Sequence, residues 1–490
     1  MSPSKHRTST DEIVQMDARK TQALNQRAIS VIRPPHTQSN GQADIRNFND
    51  PGEEKIRLMQ DMRRLDEDVL VGLVRGLKIP APSLTSPSAV KEILFPANLI
   101  SLVTNEMWKY GLIPESKMFL AGVMQTIQGH VMSFTGEEAI VPGIFWLSNV
   151  HEMRSFICVA ESDMLQGIGP GGENAVRSCD WDDYEQLVSV VKHDLDSLEC
   201  NIYHVWMSET KKKLLKMAIP ALIESQSLPG FMTSDGGGGL FNRLLNAIKA
   251  PAYSMDNILN MLNKVWESLK SYYMEESLVQ HIITELLKLI GVTSFNDLLM
   301  RRNFSSWKRA IQIEYNITRI QEWCKSHDIS EDTLQLEQLM QATRLIQLKK
   351  ATAADIDIID NVCWRLSPMQ IQRMCTNYYV ADYYGISTKV LRGITHYLNC
   401  SPGLCYSSPE PEPMVETLQY ENAVSPEVLK IVTARVLAND PNDYLILSPE
   451  TEEVGPYELP LREFSGLETY IPVYLNVSHL RRLVELMSYT

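Results

Sequence analysis

From about Lys55, apolar residues recur at helical intervals, with Leu58, Met62, Leu65, Val69 and Leu73 on one face. The stretch Pro80 to Pro87 breaks that helix. Four long helical patterns follow, Ala89–Tyr110, Glu115–Ser133, Pro142–Leu165 and Cys179–Ser225, each closed by Pro or Gly. Pro142 suits a first helical turn, where its missing N–H costs nothing. Strand signals are nearly absent: alternating β-branched runs are few and no Asn-Gly hairpin occurs. Asp235 and the four glycines through Gly239 read as a flexible loop that divides the chain. A second helical half runs from Ser254 to Tyr383, with Ser254 as N-cap of Met255–Leu289. Residues 384–419 differ in kind and include the run Ser408-Pro409-Glu410-Pro411-Glu412-Pro413. Helix resumes at Pro426–Leu437, a loop spans Asn439–Gly466, and Leu475–Met487 closes the chain. The pattern predicts an all-α protein.

The chain has 490 residues, 44% hydrophobic and 22% charged, enough to bury a sizeable core. Its formal charge of -14 disfavours a nucleic-acid or anionic-membrane binder, because phosphate contacts need clustered Lys and Arg. The eight cysteines, Cys158, Cys179, Cys200, Cys324, Cys363, Cys375, Cys400 and Cys405, form no CxxC and no zinc spacing. Scattered thiols point to a reducing cytosol, so the sequons at Asn303, Asn316 and Asn476 are expected to stay unglycosylated. The first residues lack a signal-peptide apolar core, and no stretch reads as long enough to span a bilayer. A cytoplasmic protein without membrane insertion is expected. Residues 1–54 are polar and aperiodic and read as disordered.

Catalytic motifs fail on context. Gly167-x-Gly169-x-x-Gly172 matches the dinucleotide fingerprint in letters, but a helix precedes it and Pro170 sits inside it, so it reads as a loop. No Walker A, HExxH or GxSxG sequence occurs. No catalytic set, cofactor or metal is expected. Lys211-Lys212-Lys213 with Lys216 reads as a solvated helix face, with Glu209 pairing one turn away.

Two helices carry more. At 100° per residue, Phe304, Trp307, Ile311 and Tyr315 form one stripe, and Ile313, Ile317, Ile320 and Cys324 a nearly opposite one. Lys308, Arg309, Gln312, Asn316 and Arg319 fill one flank between them. Such a helix is either sandwiched or offers one stripe to a partner, and an aromatic stripe rimmed by cations suits an interface. In Val191–Trp206, the residues Val191, Leu195, Leu198, Ile202 and Val205 make a core stripe bordered by Asp194 and Asn201, with His204 further round.

Several runs resemble the dilute (DIL) domain of class V myosin globular tails. They are Ser254-Met255-Asp256-Asn257-Ile258-Leu259, Phe295-Asn296-Asp297-Leu298-Leu299-Met300-Arg301-Arg302-Asn303-Phe304, Ser306-Trp307-Lys308-Arg309, Tyr315-Asn316-Ile317-Thr318-Arg319 and Glu322-Trp323-Cys324. Asn105-Glu106-Met107-Trp108, Phe145-Trp146-Leu147-Ser148-Asn149-Val150, Ser225-Gln226-Ser227-Leu228-Pro229-Gly230-Phe231 and Leu467-Glu468-Thr469-Tyr470-Ile471-Pro472 are similar to the same tails, of filamentous-fungal type. The resemblance implies two elongated helical subdomains, 55–250 and 251–490, joined by a long helix. It also implies that a C-terminal segment, 465–490, straps back onto the first. The implied function is non-catalytic cargo binding: gripping organelle and vesicle receptors, including Rab-type GTPases, for actin-based transport. A helical subunit of a vesicle-tethering complex is the alternative.

Two receptor surfaces carry over by position. The vesicle/Rab patch of such tails falls on Ile311 and Tyr315 just after Trp307, with Arg344 and Gln347 on the next helix. The vacuole-receptor patch falls on Asp194, Leu198, Asn201 and His204, the last departing from the family pattern. No motor sequence, lever-arm motif or convincing coiled coil occurs in these residues; association with a myosin heavy chain, or dimerisation, is left open. The family runs Ala-Asp-Tyr-Glu directly into a helix, whereas here Ala381-Asp382-Tyr383 is parted from Tyr420-Glu421-Asn422. Residues 384–419 are accordingly expected to be an inserted loop or a retained intron. Sequencing the transcript across this point decides: a message lacking the segment identifies an intron, and uniform presence an inserted loop.

Overall fold

Every regular element among the described residues is helical. The computed structural model describes residues 51–169, 181–228, 251–379, 423–438, 445–448 and 478–487. The expectations for 1–50, the glycine run and 384–419 lie outside them, as does most of the loop 439–466. Residues 50–490 form one contact unit.

The first half opens with α1 (Pro51–Gln60), which starts ahead of the expected boundary at 55. Then α2 (Met62–Leu65) widens into a π-helical run, Asp66–Arg75. Leu58, Leu65, Val69 and Leu73 are buried there, as their spacing predicts. The stretch expected as one helix over 89–110 is two, α3 (Val90–Ile93) and α4 (Phe95–Lys109). Asn149 repairs the break: its Nδ2 donates to Ile93 O at 3.1 Å, and its Oδ1 accepts from Ala97 N at 3.1 Å. Next come α5 (Ile113–Val131), α6 (Ile140–Leu165) and α7 (Trp181–Ala218). The 38 residues of α7 span about 57 Å at the usual rise.

The contact of α6 with α7 is the most extensive between helices among the described residues. It depends on Gly143, where a methyl would come within 2.6 Å of Trp206 Cβ. Beyond Ala218 the long helix widens into a π turn, Ile219–Glu224. Pro220 lacks an N–H and crowds the carbonyl one turn back, which an α-helix cannot absorb.

The second half comprises α8 (Met255–Ser271), α9 (Glu276–Met300), α10 (Trp307–Ser326), α11 (Glu337–Gln347), α12 (Ala354–Val362), α13 (Pro368–Asn377) and α14 (Pro426–Ala438). The single helix expected over Met255–Leu289 breaks at Tyr272–Met274, where Tyr273 takes a φ of 57°. Tertiary bonds impose that corner. Tyr272 OH donates to Pro80 O at 2.6 Å, Tyr273 OH to Ser88 O at 2.7 Å, and Ser148 Oγ to Tyr272 O at 2.6 Å. Ser254 precedes α8 as expected, its backbone N–H held by Asn257 Oδ1 at 2.8 Å.

The C-terminal helix α15 (Ser478–Met487) returns to the first half and packs on α1, α4 and the π run, burying Leu480, Leu483, Val484 and Met487. The fold is thus an all-α bundle in two helical parts, bridged by α7 and strapped by α15. By length and composition α9 could cross a membrane, contrary to the expectation that no stretch approaches this; 67% of its apolar window is buried inside the protein, which makes it a core helix. Cys324, Cys363 and Cys375 are buried, and burial pushes their thiols up to about 12, 12 and 11. None is a thiolate at neutral pH.

The Lys211–Lys213 run ties helices together as well as facing water. Lys212 pairs with Glu209 at 2.8 Å, but Lys211 reaches Glu285 of α9 at 2.9 Å and Lys213 reaches Glu137 at 3.3 Å. Burial alone would raise the Glu285 carboxyl, yet bonds from His281 and Lys211 outweigh it and bring it down to about 2. A carboxyl depressed in the folded state stabilises fully above its unfolded pKa, roughly 4.3, and ceases to do so as pH falls through its folded value. Glu285→Gln is therefore expected to cost about 1–3 kcal/mol at pH 6 in urea melts and to flatten the acid limb between the two pKa values. Parallel acid limbs for wild type and variant would refute the assignment.

Candidate functional site

Helix α10 lies between neighbours on both of its apolar stripes. Ile313, Ile317, Ile320 and Cys324 are fully buried. On the other stripe Phe304 and Trp307 are each 7% exposed and Ile311 2%, while Tyr315 is half-buried. The polar flank is buried as well, and this corrects its reading as an interface rim. Asn316 Nδ2 donates to Leu222 O at 3.0 Å and Ser225 Oγ at 3.1 Å. Gln312 Oε1 accepts from Leu228 N at 3.1 Å, and Arg309 Nη1 approaches Glu224 O at 3.4 Å. Asn316 and Arg309 thus satisfy carbonyls of the π turn that closes the long helix, and Gln312 holds the segment just beyond it. Of the flank, only Arg319 is half-exposed, and it pairs with Asp256.

The two helices of the vesicle/Rab patch meet. Gln347 Nε2 of α11 donates to Glu314 Oε2 of α10 at 2.6 Å, and Arg344 Nε lies 3.9 Å from Glu314 Oε1. Arg344 and Gln347 thus meet at one acidic residue, and they and Tyr315, the next residue on α10, are all half-buried. Burial raises the Glu314 carboxyl, against the bond from Gln347 and the charge of Arg344. Periodicity missed Glu314, since its hydrogen-bond partner Gln347 lies 33 residues away. The end of α11 is fixed by Lys350. This buried lysine donates to Leu345 O at 2.9 Å, Ile346 O at 3.0 Å and also Leu348 O, and burial lowers it to about 8. Trp307 and Ile311 underlie this junction as packing; the accessible face belongs to the other three.

The second patch lies on α7. Asp194 and His204 are exposed and Asn201 is half-buried, whereas Leu198 is 4% exposed and belongs to the core stripe with Val191, Leu195 and Ile202. Partial desolvation raises the Asp194 carboxyl, opposed by the charges of His193 and Lys117. Gly167, with a φ of 77°, turns the chain out of α6, its N–H bonded to Met164 O at 2.9 Å. The glycines there end a helix, as expected of a loop. No group of His, Cys, Asp and Glu suited to a metal occurs among the described residues.

Comparison with known proteins agrees with this architecture. The DIL domain profile matches residues 281–382. Myosin-2 of Lachancea kluyveri is 36% identical over 451 residues, covering 89% of this chain and 26% of the relative. The structure described as apo Myo2-GTD aligns with a TM-score of 0.70 at 31% identity, covering 89% of this chain and 98% of its own. That of Myo2-GTD in complex with Mmr1 aligns at 0.67 and 30% identity, covering 89% and 97%. The all-α, two-part fold bridged by one long helix is that of a myosin tail module. The chain belongs to the class V myosin globular tails. It spans about a quarter of the Myosin-2 relatives' length, 26% for the first.

Ile311→Ala is expected to lower stability by about 2–5 kcal/mol in urea melts, the cost of a cavity in a packed core. Tyr315→Ala should cost clearly less. Equal losses would place Tyr315 in the core.

Proposed function

We propose that this chain is a non-catalytic cargo adaptor that binds organelle and vesicle receptor proteins, Rab-type GTPases among them, at vesicles moved along actin in the cytoplasm. The observation that carries this reading is its likeness, over 89% of the chain, to structures of Myo2-GTD in complex with Mmr1, Smy1 and Inp2. Sites of this kind need only an anchor ringed by polar groups, and modest affinity suits cargo that must be released.

The proposed Rab surface is the α10–α11 junction. Tyr315 is its anchor, Arg344 and Gln347 its polar contacts, and Ile311 and Trp307 its support. The buried Glu314 helps by holding Arg344 and Gln347 in place, which lowers the entropy to be lost on binding. The line Asp194, Asn201 and His204, resting on Leu198, is the proposed second receptor surface.

The test is a pull-down of exocytic Rab GTPases, GTP- and GDP-loaded, with wild-type and Tyr315→Glu chains. GTP-selective binding is expected, lost in the variant by tenfold or more while helical circular dichroism is kept. Equal capture by both chains would remove the site. Loss of helicity in the variant would make Tyr315 a core residue and also remove it.

A further inference from the structure

Between α12 and α13 the chain turns through Cys363–Ser367 and presents Trp364 to solvent, 64% exposed, with Leu334 beside the same turn 52% exposed. An exposed tryptophan on a loose loop would mean little, but this turn is held on every side. Cys363 N bonds to Ile359 O at 2.8 Å and Leu366 N to Cys363 O at 2.9 Å. Arg365 N donates to Oε1 of the fully buried Gln341 at 2.8 Å. Gln338 Nε2 reaches Arg365 O at 3.4 Å and Gln370 Oε1 at 3.1 Å.

The Arg365 side chain is exposed. Its guanidinium lies 5.0 Å from the centre of the Trp364 ring, and Nη1 approaches Leu334 O at 3.4 Å. It has no ion pair among the described residues. A cation lying over an exposed indole, next to an exposed leucine, thus has no counter-charge among the described residues. Its planar fork of donors matches a carboxylate, and the indole offers a large apolar face at little entropic cost.

We infer that Trp364, Arg365 and Leu334 form a second docking surface, for an acidic linear peptide of a partner protein. The peptide lays an aliphatic or aromatic side chain on Trp364 and Leu334 and seats an adjacent carboxylate on Arg365. Because the turn is already rigid, little ordering is needed on this side of the interface. The surface shares none of its residues with the Rab patch and does not rest on the Rab assignment.

The test is selection of a random peptide library displayed on phage against the full chain. Anisotropy titrations of the enriched peptides follow, with wild-type, Trp364→Ala, Arg365→Gln and Tyr315→Glu chains. Circular dichroism checks that each is folded. The expected result is enrichment of Asp or Glu beside Leu, Phe or Trp. Affinity should fall tenfold or more in Trp364→Ala and Arg365→Gln, weaken with added salt, and stay unchanged in Tyr315→Glu. No enrichment, peptides without an acid, or binding that survives both substitutions overturns the inference. So does self-association of the wild-type chain in sedimentation that Trp364→Ala abolishes, which would make a second copy the occupant.

Discussion

A long helix that runs between two bodies must end inside protein, and its last carbonyls cannot turn to water. In this molecule that obligation falls on the π turn Ile219–Glu224 and is met from the opposite side by Asn316 and Arg309 of α10, while Gln312 accepts from Leu228 N just beyond the turn. Leaving buried backbone acceptors unpaired costs about 1–3 kcal/mol each. The second half is therefore oriented on the first by polar atoms as well as by its core. Once α10 is fixed there, α11 follows through Glu314, and the candidate receptor face takes its shape.

This explains which parts of the fold were legible in sequence. Helical class, most helix bounds and the core stripe of α7 follow from spacing, because apolar periodicity reports burial directly. The break at Tyr272–Met274 was invisible: nothing local forbids helix there, and the hydroxyls that enforce the corner reach carbonyls roughly 190 residues away in sequence. The flank of α10 was misread for a related reason. A buried amide that caps a distant helix has the same letters as an amide at an interface. Within the proposed patch, Arg344 and Gln347 meet at Glu314, a residue that leaves no periodic trace in the sequence.

The runs that carry the family resemblance are mostly fold-keeping residues. Asn149 mends the α3–α4 break, and Trp108 is buried with Nε1 bonded to Ser116 Oγ at 3.0 Å. Asn296 clasps Leu447 by both its donor and acceptor, at 2.8 and 3.0 Å. Arg301 bridges Asp297 and Glu224, and Asn316 ends the long helix. Such residues identify a fold well and a partner poorly, because each is occupied within the chain.

The strap has a consequence for how the protein is made. α15 completes a core begun by α1, α4 and the π run, yet it follows that run by about 400 residues. At 5–20 residues per second, a ribosome needs roughly 20–80 s to cover that distance. Throughout that interval the apolar surface awaiting Leu480, Leu483, Val484 and Met487 stays open. Until α15 emerges that surface depends on chaperone shielding, so yield in a cell follows the tempo of synthesis between the π run and α15 as well as final stability.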